Sequence, residues 1–233
     1  MQAKWELFYR SFIVNNGWKT VVDGLIATLQ IAIFGLLIGV VLGTIIAAVK
    51  VVPKTNFFAK FFSAICDVYV GFFRGTPIVV QLLIGYFILF PAMGVQIKEL
   101  TVAIVIFGMN SGAYIAEIMR SGIQSVDSGQ MEAARAVGLS FSVSMIKVVI
   151  PQAIKNILPT LGNEFIVLIK ETSVASFIAV VDLTKAFTDI GGSNYEYMIP
   201  YFMLALVYLV LVAIITFGIK LLERRLARVD RSR

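Results

Sequence analysis

Residues 24–49 read GLIATLQIAIFGLLIGVVLGTIIAAV, twenty-six residues without a charge. A helix needs about 20 apolar residues to cross the hydrocarbon of a bilayer. This stretch is long enough, and its length and lack of alternation exclude a barrel strand. Working outward, residues 78–97 form a second uncharged run. Residues 100–119 form a third, broken only by Glu117, and residues 197–219 form a last one. Between Lys147 and Val181 a less pure apolar stretch carries Lys155, Glu164, Lys170 and Glu171, as expected of a span that faces protein or water rather than lipid. The expectation is an all-α membrane protein with five transmembrane helices over about 21–49, 62–91, 100–120, 147–180 and 197–222, in one transmembrane domain covering 1–233.

Composition agrees. The chain is 59% hydrophobic and 15% charged, against about 25% charge in a soluble domain. There is no histidine, which excludes Ser–His and Cys–His catalysis, HExxH metalloproteases and histidine proton relays. Cys66 is the single cysteine, so neither an intrachain disulfide nor a CxxC metal site is available. No GxxxxGK[ST] loop occurs, so ATP, if it drives this chain, is bound by another. The N-terminal MQAKWELFYRSFIVNNGW lacks the apolar core and cleavage site of a signal peptide, so no removal is expected. Trp5, Phe8, Tyr9 and Trp18 with Lys4, Arg10 and Lys19 suit a helix lying in the interface.

Five spans place the termini on opposite sides. Lys50, Lys54, Lys60, Arg74, Arg120, Arg135, Lys147, Lys155 and the tail Lys220, Arg224, Arg225, Arg228, Arg231 and Arg233 collect on one side; Lys4, Arg10, Lys19, Lys98 and Lys185 lie on the other. Fourteen against five makes the first side cytoplasmic. The N-terminus is then outside and the C-terminus inside. The pI near 9.5 reflects this topology signal rather than a nucleic-acid partner.

The cytoplasmic connection 127–151, DSGQMEAARAVGLSFSVSMIKVVIP, holds a short helix over about 128–138. Asp127 with Gln130 fits an N-cap and its partner, and Gly138 stands where a left-handed C-terminal cap belongs. A helix of about three turns is marginal alone in water and must dock on something. A soluble partner and packing on its own bundle are both open on this ground.

Glu132-Ala133-Ala134, three residues, Gly138, nine residues, then Val148-Val149-Ile150-Pro151 resembles the EAA motif of ABC import permeases, EAA-x3-G-x9-I-x-L-P. Valine and isoleucine replace its Ile and Leu and keep the apolar character. Phe73-Arg74-Gly75-Thr76-Pro77 is similar to the FRGTP box of the polar amino-acid subfamily. So are Tyr114-x-Ala116-Glu117-x-x-Arg120-x-Gly122-Ile123, Ser125-Val126 and Gly129-Gln130, with Gly24, Thr28 and Leu29 in the first span and Lys170-Glu171-Thr172-Ser173 in the fourth. The resemblance runs from about residue 20 to 225. It implies a permease of the bacterial inner membrane, paired with an identical or sister permease. Two ATP-binding-cassette subunits would bind ATP and Mg, this chain holding no cofactor itself, and an extracytoplasmic protein would deliver a polar amino acid. It makes 128–138 the coupling helix, with Gln130, Glu132, Ala133, Ala134 and Gly138 as its docking residues.

Ionisable groups at mid-membrane cost about 2.5–3.5 kcal/mol and therefore mark interiors and function. At 1.5 Å per residue, Asn110 and Ser111 lie roughly 15 Å in from Arg120, and Glu171 stands at a similar height. Asn110, Ser111, Glu164, Glu171 and Thr172 are the expected substrate pocket, whose acidity favours a cationic amino acid. Each has a structural alternative. Lys170 and Glu171 are adjacent and point about 100° apart. Glu117 and Arg120 are spaced as an ion pair, and Arg74 is placed to cap a helix broken at Thr76-Pro77; these five are gating or structural candidates. An ion-coupled secondary transporter remains an alternative, although no inverted repeat is visible. A membrane enzyme is disfavoured by the missing histidine.

Overall fold

The computed structural model describes residues 1–52 and 56–231, with side chains described to residue 224. Lys54 and Arg233 of the charge tally lie outside these residues, and the side chains of Arg225, Arg228 and Arg231 lie beyond those described. Helices are the regular structure of the described residues, in the order α1 (Gln2–Tyr9), α2 (Gly17–Val51), α3 (Phe57–Gly75), α4 (Ile78–Ala92), α5 (Glu99–Gln124), α6 (Ser128–Ala136), α7 (Phe141–Ile178), α8 (Leu183–Gly192) and α9 (Met198–Arg231), with no strand among them. Four helices, α2, α5, α7 and α9, are long and apolar enough to span, and α3 with α4 makes a fifth if the bent pair is one crossing.

The second span departs from expectation. Residues 62–91 are not one rod: α3 and α4 meet at 106°. Pro77 has no N–H to donate and restricts Thr76 to extended backbone, and Thr76 adopts φ −123°, ψ 146°. The fourth span begins earlier than predicted, because Ser140 caps α7 by accepting from the Val143 N–H. It narrows to a tighter 3-10 helix over Thr172–Ile178 and stops at Ala179, whose φ is +64°.

The centre of the fold is the pairing of α2 with α5. Gly35, Gly39 and Gly43 repeat every four residues along one face of α2 and are buried. A Cβ on Gly43 would stand 2.9 Å from the Ala116 backbone nitrogen and one on Gly39 2.8 Å from Ser111 Oγ. Small residues let membrane helices approach this closely, which is how they gain dispersion and polar contacts where no hydrophobic effect helps. Ile31, Ala32, Val102, Ala103, Phe107, Leu168 and Ile169 fill the core between α2, α5 and α7.

Candidate functional site

The helix break is closed by side chains from two other turns of the fold. Gln81 Nε2 donates to Phe73 O at 2.9 Å and to Thr76 O at 3.0 Å. Asn110 Nδ2 donates to the same Phe73 carbonyl at 3.2 Å and to Gln81 Oε1 at 2.9 Å. Thr76 Oγ1 donates back to Phe72 O at 2.8 Å. Unpaired carbonyls in a membrane interior are costly, and these bonds satisfy the ones the break exposes. Asn110, expected in the substrate pocket, is buried and directs its amide hydrogens here. Gln81 is a site residue that sequence reasoning missed, although a glutamine four residues after Pro77 in an uncharged run is the signal for it.

At the Val51 end of α2, charges converge on Glu117. Lys50 Nζ donates to Glu117 Oε1 at 3.1 Å, and Arg120 Nη2 lies 2.7 Å from Oε2. Lys50 also reaches Asp67 on α3 at 2.9 Å. Arg74 stands 3.9 Å from Glu117 and over the ring of Tyr114 at 5.4 Å. The Glu117–Arg120 pair occurs as its spacing predicts. Arg74 turns towards that pair rather than onto the break. Lys50 and Asp67 are members that sequence reasoning missed; an isolated acid inside the second apolar segment was the clue.

Along α7 a second arrangement forms. Ser111 Oγ on α5 donates to Glu164 Oε1 at 3.3 Å. Glu171 lies two turns further on the same face, half-buried, while Lys170 points outward and is exposed. Asn156, Thr160 and Asn163, also exposed, continue the stripe towards the other end. Thr172 is fully buried and donates to Ile169 O at 2.8 Å. Ser111 and Glu164 are thus brought together, Glu171 joins them along the face, and Thr172 and Asn110 are turned to other bonds.

The short helix α6 ends two residues earlier than predicted, and its caps are specific. Asp127 Oδ1 accepts from the Gly129 N–H at 2.8 Å. Gln130 does not reciprocate; its Oε1 accepts from Gln152 Nε2 on α7 at 3.2 Å. At the other end Gly138 has φ +91°. Its N–H reaches Arg135 O at 3.0 Å, and Leu139 N–H reaches Ala134 O at 3.2 Å, the paired bonds of a Schellman cap. Ala134 is buried against the bundle, whereas Glu132, Ala133 and Val137 are exposed. The buried alanine and the Gln130–Gln152 bond seat the helix on α7, and its opposite side is left open.

A bundle of apolar helices with a polar stripe and an outward helix between two spans defines a membrane transport subunit. Residues 35–228 match the family described as "Binding-protein-dependent transport system inner membrane component", and the chain belongs to that family. It is 39% identical over 210 residues to the arginine transport system permease protein ArtQ of Bacillus subtilis, covering 90% of this chain and 94% of that one. It is 36% identical to the putative glutamine transport system permease protein GlnP of Rickettsia bellii, over 88% of this chain and 92% of that one. Among solved structures, a chain of an amino acid ABC transporter crystallised with histidines is 40% identical and superposes with a TM-score of 0.83, over 91% of this chain and 96% of that chain.

Proposed function

We propose that this chain is the transmembrane permease subunit of an ATP-driven importer of a polar L-amino acid. The observation that carries the reading is the stripe of Glu164 and Glu171 on α7. Glu164 is held by Ser111, and the stripe lies open along one side of a helix that otherwise spans apolar surroundings. Such a face is unfavourable against lipid and favourable against a water-filled path or a second chain. Its carboxylates accept from a substrate ammonium, and two of them favour a cationic amino acid. Relatives named for arginine and glutamine transport support the amino-acid class.

In this reading the Val51 end of the bundle is cytoplasmic and the membrane is the bacterial inner membrane. A second permease chain covers the polar face of α7. Two ATPase subunits each take one α6 in a groove. Glu132 offers them a charge and Ala133 a close approach. ATP-driven closure moves the two α6 helices and tilts the bundles. The test has two arms. Purification of the tagged chain from its own membranes in mild detergent should bring a Walker-motif ATPase in equal amount; recovery of the chain alone sinks the importer reading. Glu164→Gln should then reduce uptake of arginine far more than uptake of glutamine. Equal effects on both would remove the cationic preference while leaving the importer in place.

A further inference from the structure

Tyr195 is 89% exposed, more than any other large apolar or aromatic side chain among the described residues. It sits between α8 and α9 with φ +56°, in the left-handed region that is unfavourable for a non-glycine residue. Such a conformation persists where its neighbours over-determine it, and here they do. Glu196 N–H donates to Gly191 O and to Asn194 Oδ1, both at 3.1 Å. Asn194 Nδ2 donates to Ser11 Oγ at 3.1 Å, and Ser11 and Ser193 share a hydroxyl bond of 3.1 Å. Lys4 pairs with Glu196 at 3.0 Å, and that carboxylate also accepts from the Met198 N–H at 3.0 Å. Both flanks of Tyr195 are thereby tied down, to the α1 segment, to α8 and to the start of α9, and its ring is left outside.

This turn lies at the Gly17 end of α2, where Gly17 packs against Ile190 and the Ser11 carbonyl. The coupling helix α6 lies at the Val51 end, where Val51 and Met131 line a common cavity. The two ends are separated by the 35 residues of α2, about 50 Å at 1.5 Å per residue. We propose that Tyr195 anchors the docking of the extracytoplasmic amino-acid-binding protein on this permease. The proposal rests on the importer reading above, and the family's dependence on a binding protein supplies the partner. A rigid aromatic shown on a fixed backbone is the form an interface anchor takes, because its ordering cost is met before the partner arrives. An aromatic that only meets lipid headgroups needs no such backbone; Trp5, Tyr9 and Trp18 stand exposed at the same end on ordinary helical residues and fill that role.

The test uses the complete transporter in nanodiscs. Substrate-loaded arginine-, glutamine- and histidine-binding proteins of the same organism are titrated, and the one that most stimulates wild-type ATP hydrolysis is kept as the probe. Tyr195→Gly removes the ring and keeps a residue suited to the left-handed turn. It should raise the half-saturating concentration of the probe about tenfold, a loss of ~1.4 kcal/mol, with the same rate approached at saturation. Tyr195→Phe should stay within about twofold. Lys4→Met, which frees the turn but leaves the ring, should shift half-saturation in the same direction by less. A Tyr195→Gly titration superimposable on wild type overturns the proposal. So does a loss of thermal stability with half-saturation unmoved, the result expected of a ring that serves the lipid surface. If none of the three proteins stimulates the wild type, the arginine, glutamine or histidine substrate class fails and this proposal, which rests on it, is overturned, while co-purification of the ATPase decides the importer reading separately.

Discussion

Glu117 on α5 accepts a hydrogen bond from Lys50 of α2 at 3.1 Å while Arg120, one turn along its own helix, holds the other oxygen at 2.7 Å. One carboxylate thus joins two helices, and through Lys50 and Asp67 it reaches a third. Removing one partner from a partly buried charge network leaves the others uncompensated. Glu117→Gln leaves Lys50, Arg120 and Arg74 facing a neutral amide and should cost about 2 kcal/mol, the scale of charge-assisted bonds. Thermal unfolding in detergent should show a lower midpoint for Glu117→Gln. Asp67→Asn should lower it less, because Asp67 is 54% exposed and exposed pairs contribute little. An Asp67→Asn effect as large as that of Glu117→Gln contradicts this ordering.

Asn110 separates a structural role from a substrate role. Its amide hydrogens bond the Phe73 carbonyl and Gln81, so Asn110→Leu leaves a buried carbonyl with one donor fewer. A loss of about 1–3 kcal/mol is expected. The variant should unfold earlier, and the substrate concentration for half-maximal uptake should hardly move in whatever fraction folds. The opposite pattern, normal stability with weakened uptake, places Asn110 in the pocket.

Gly43 tests the helix pairing. Its Cβ position lies 2.7 Å from the Ile115 side chain and 2.9 Å from Ala116 N. A backbone atom cannot rotate aside, so α2 and α5 must separate. Overpacking of this kind costs about 1–3 kcal/mol. Gly43→Leu should give low yields of monodisperse protein on size exclusion. Gly71→Leu on α3, where a Cβ would meet nothing within 4 Å, should behave as wild type.

The spans were legible because apolar runs of this length have one physical reading, and the α6 caps were legible because Asp127 and Gly138 are residue types with local jobs. The bend at Thr76-Pro77 was visible as a proline but not as 106°; the carbonyls it exposes are taken up by Gln81 and by Asn110, and the hold that these two share on Phe73 exists only once α5 packs there. For the same reason Asn110 read as a pocket residue. A polar side chain at mid-membrane announces that it needs a partner without saying whether that partner is substrate or backbone. The Glu117–Arg120 pair followed from local spacing, whereas Lys50 and Asp67 reach it only through tertiary packing. Depth at a fixed rise per residue sets Ser111 level with Glu171 and leaves Glu164 nearer the cytoplasm; the bond between Ser111 and Glu164 follows from how α5 packs on α7, which a rise per residue does not supply.

Coupling is tested at α6. Glu132 is exposed and Gly138 holds φ +91°. Glu132→Lys should leave the fold intact and reduce substrate-stimulated ATP hydrolysis by the complex about tenfold, if a charge-assisted contact of ~1.4 kcal/mol is lost. Gly138→Ala forces a left-handed alanine at a cost of about 1 kcal/mol and should lower stimulation less. Full stimulation in both variants would remove α6 from the transmission path.

The tie between Lys4 and Glu196 gives a dependence on pH with a defined sign. The hydrogen bond from Lys4, assisted by the Met198 N–H, holds the Glu196 carboxyl below its usual range. A group whose value is depressed in the folded state stabilises above its unfolded value, near 4.3 for glutamate, and that stabilisation is lost as pH falls through the lower folded value. The attachment of α1 to the α8–α9 turn should therefore be constant from pH 7 to about 5 and weaken below about 4. Amide hydrogen exchange of residues 2–9 in nanodiscs, corrected for the intrinsic rate, should rise in that acid window. Glu196→Gln should exchange faster at pH 7 and show little further change on acidification. An exchange profile for Glu196→Gln that keeps the acid step of the wild type assigns the step to another carboxyl group.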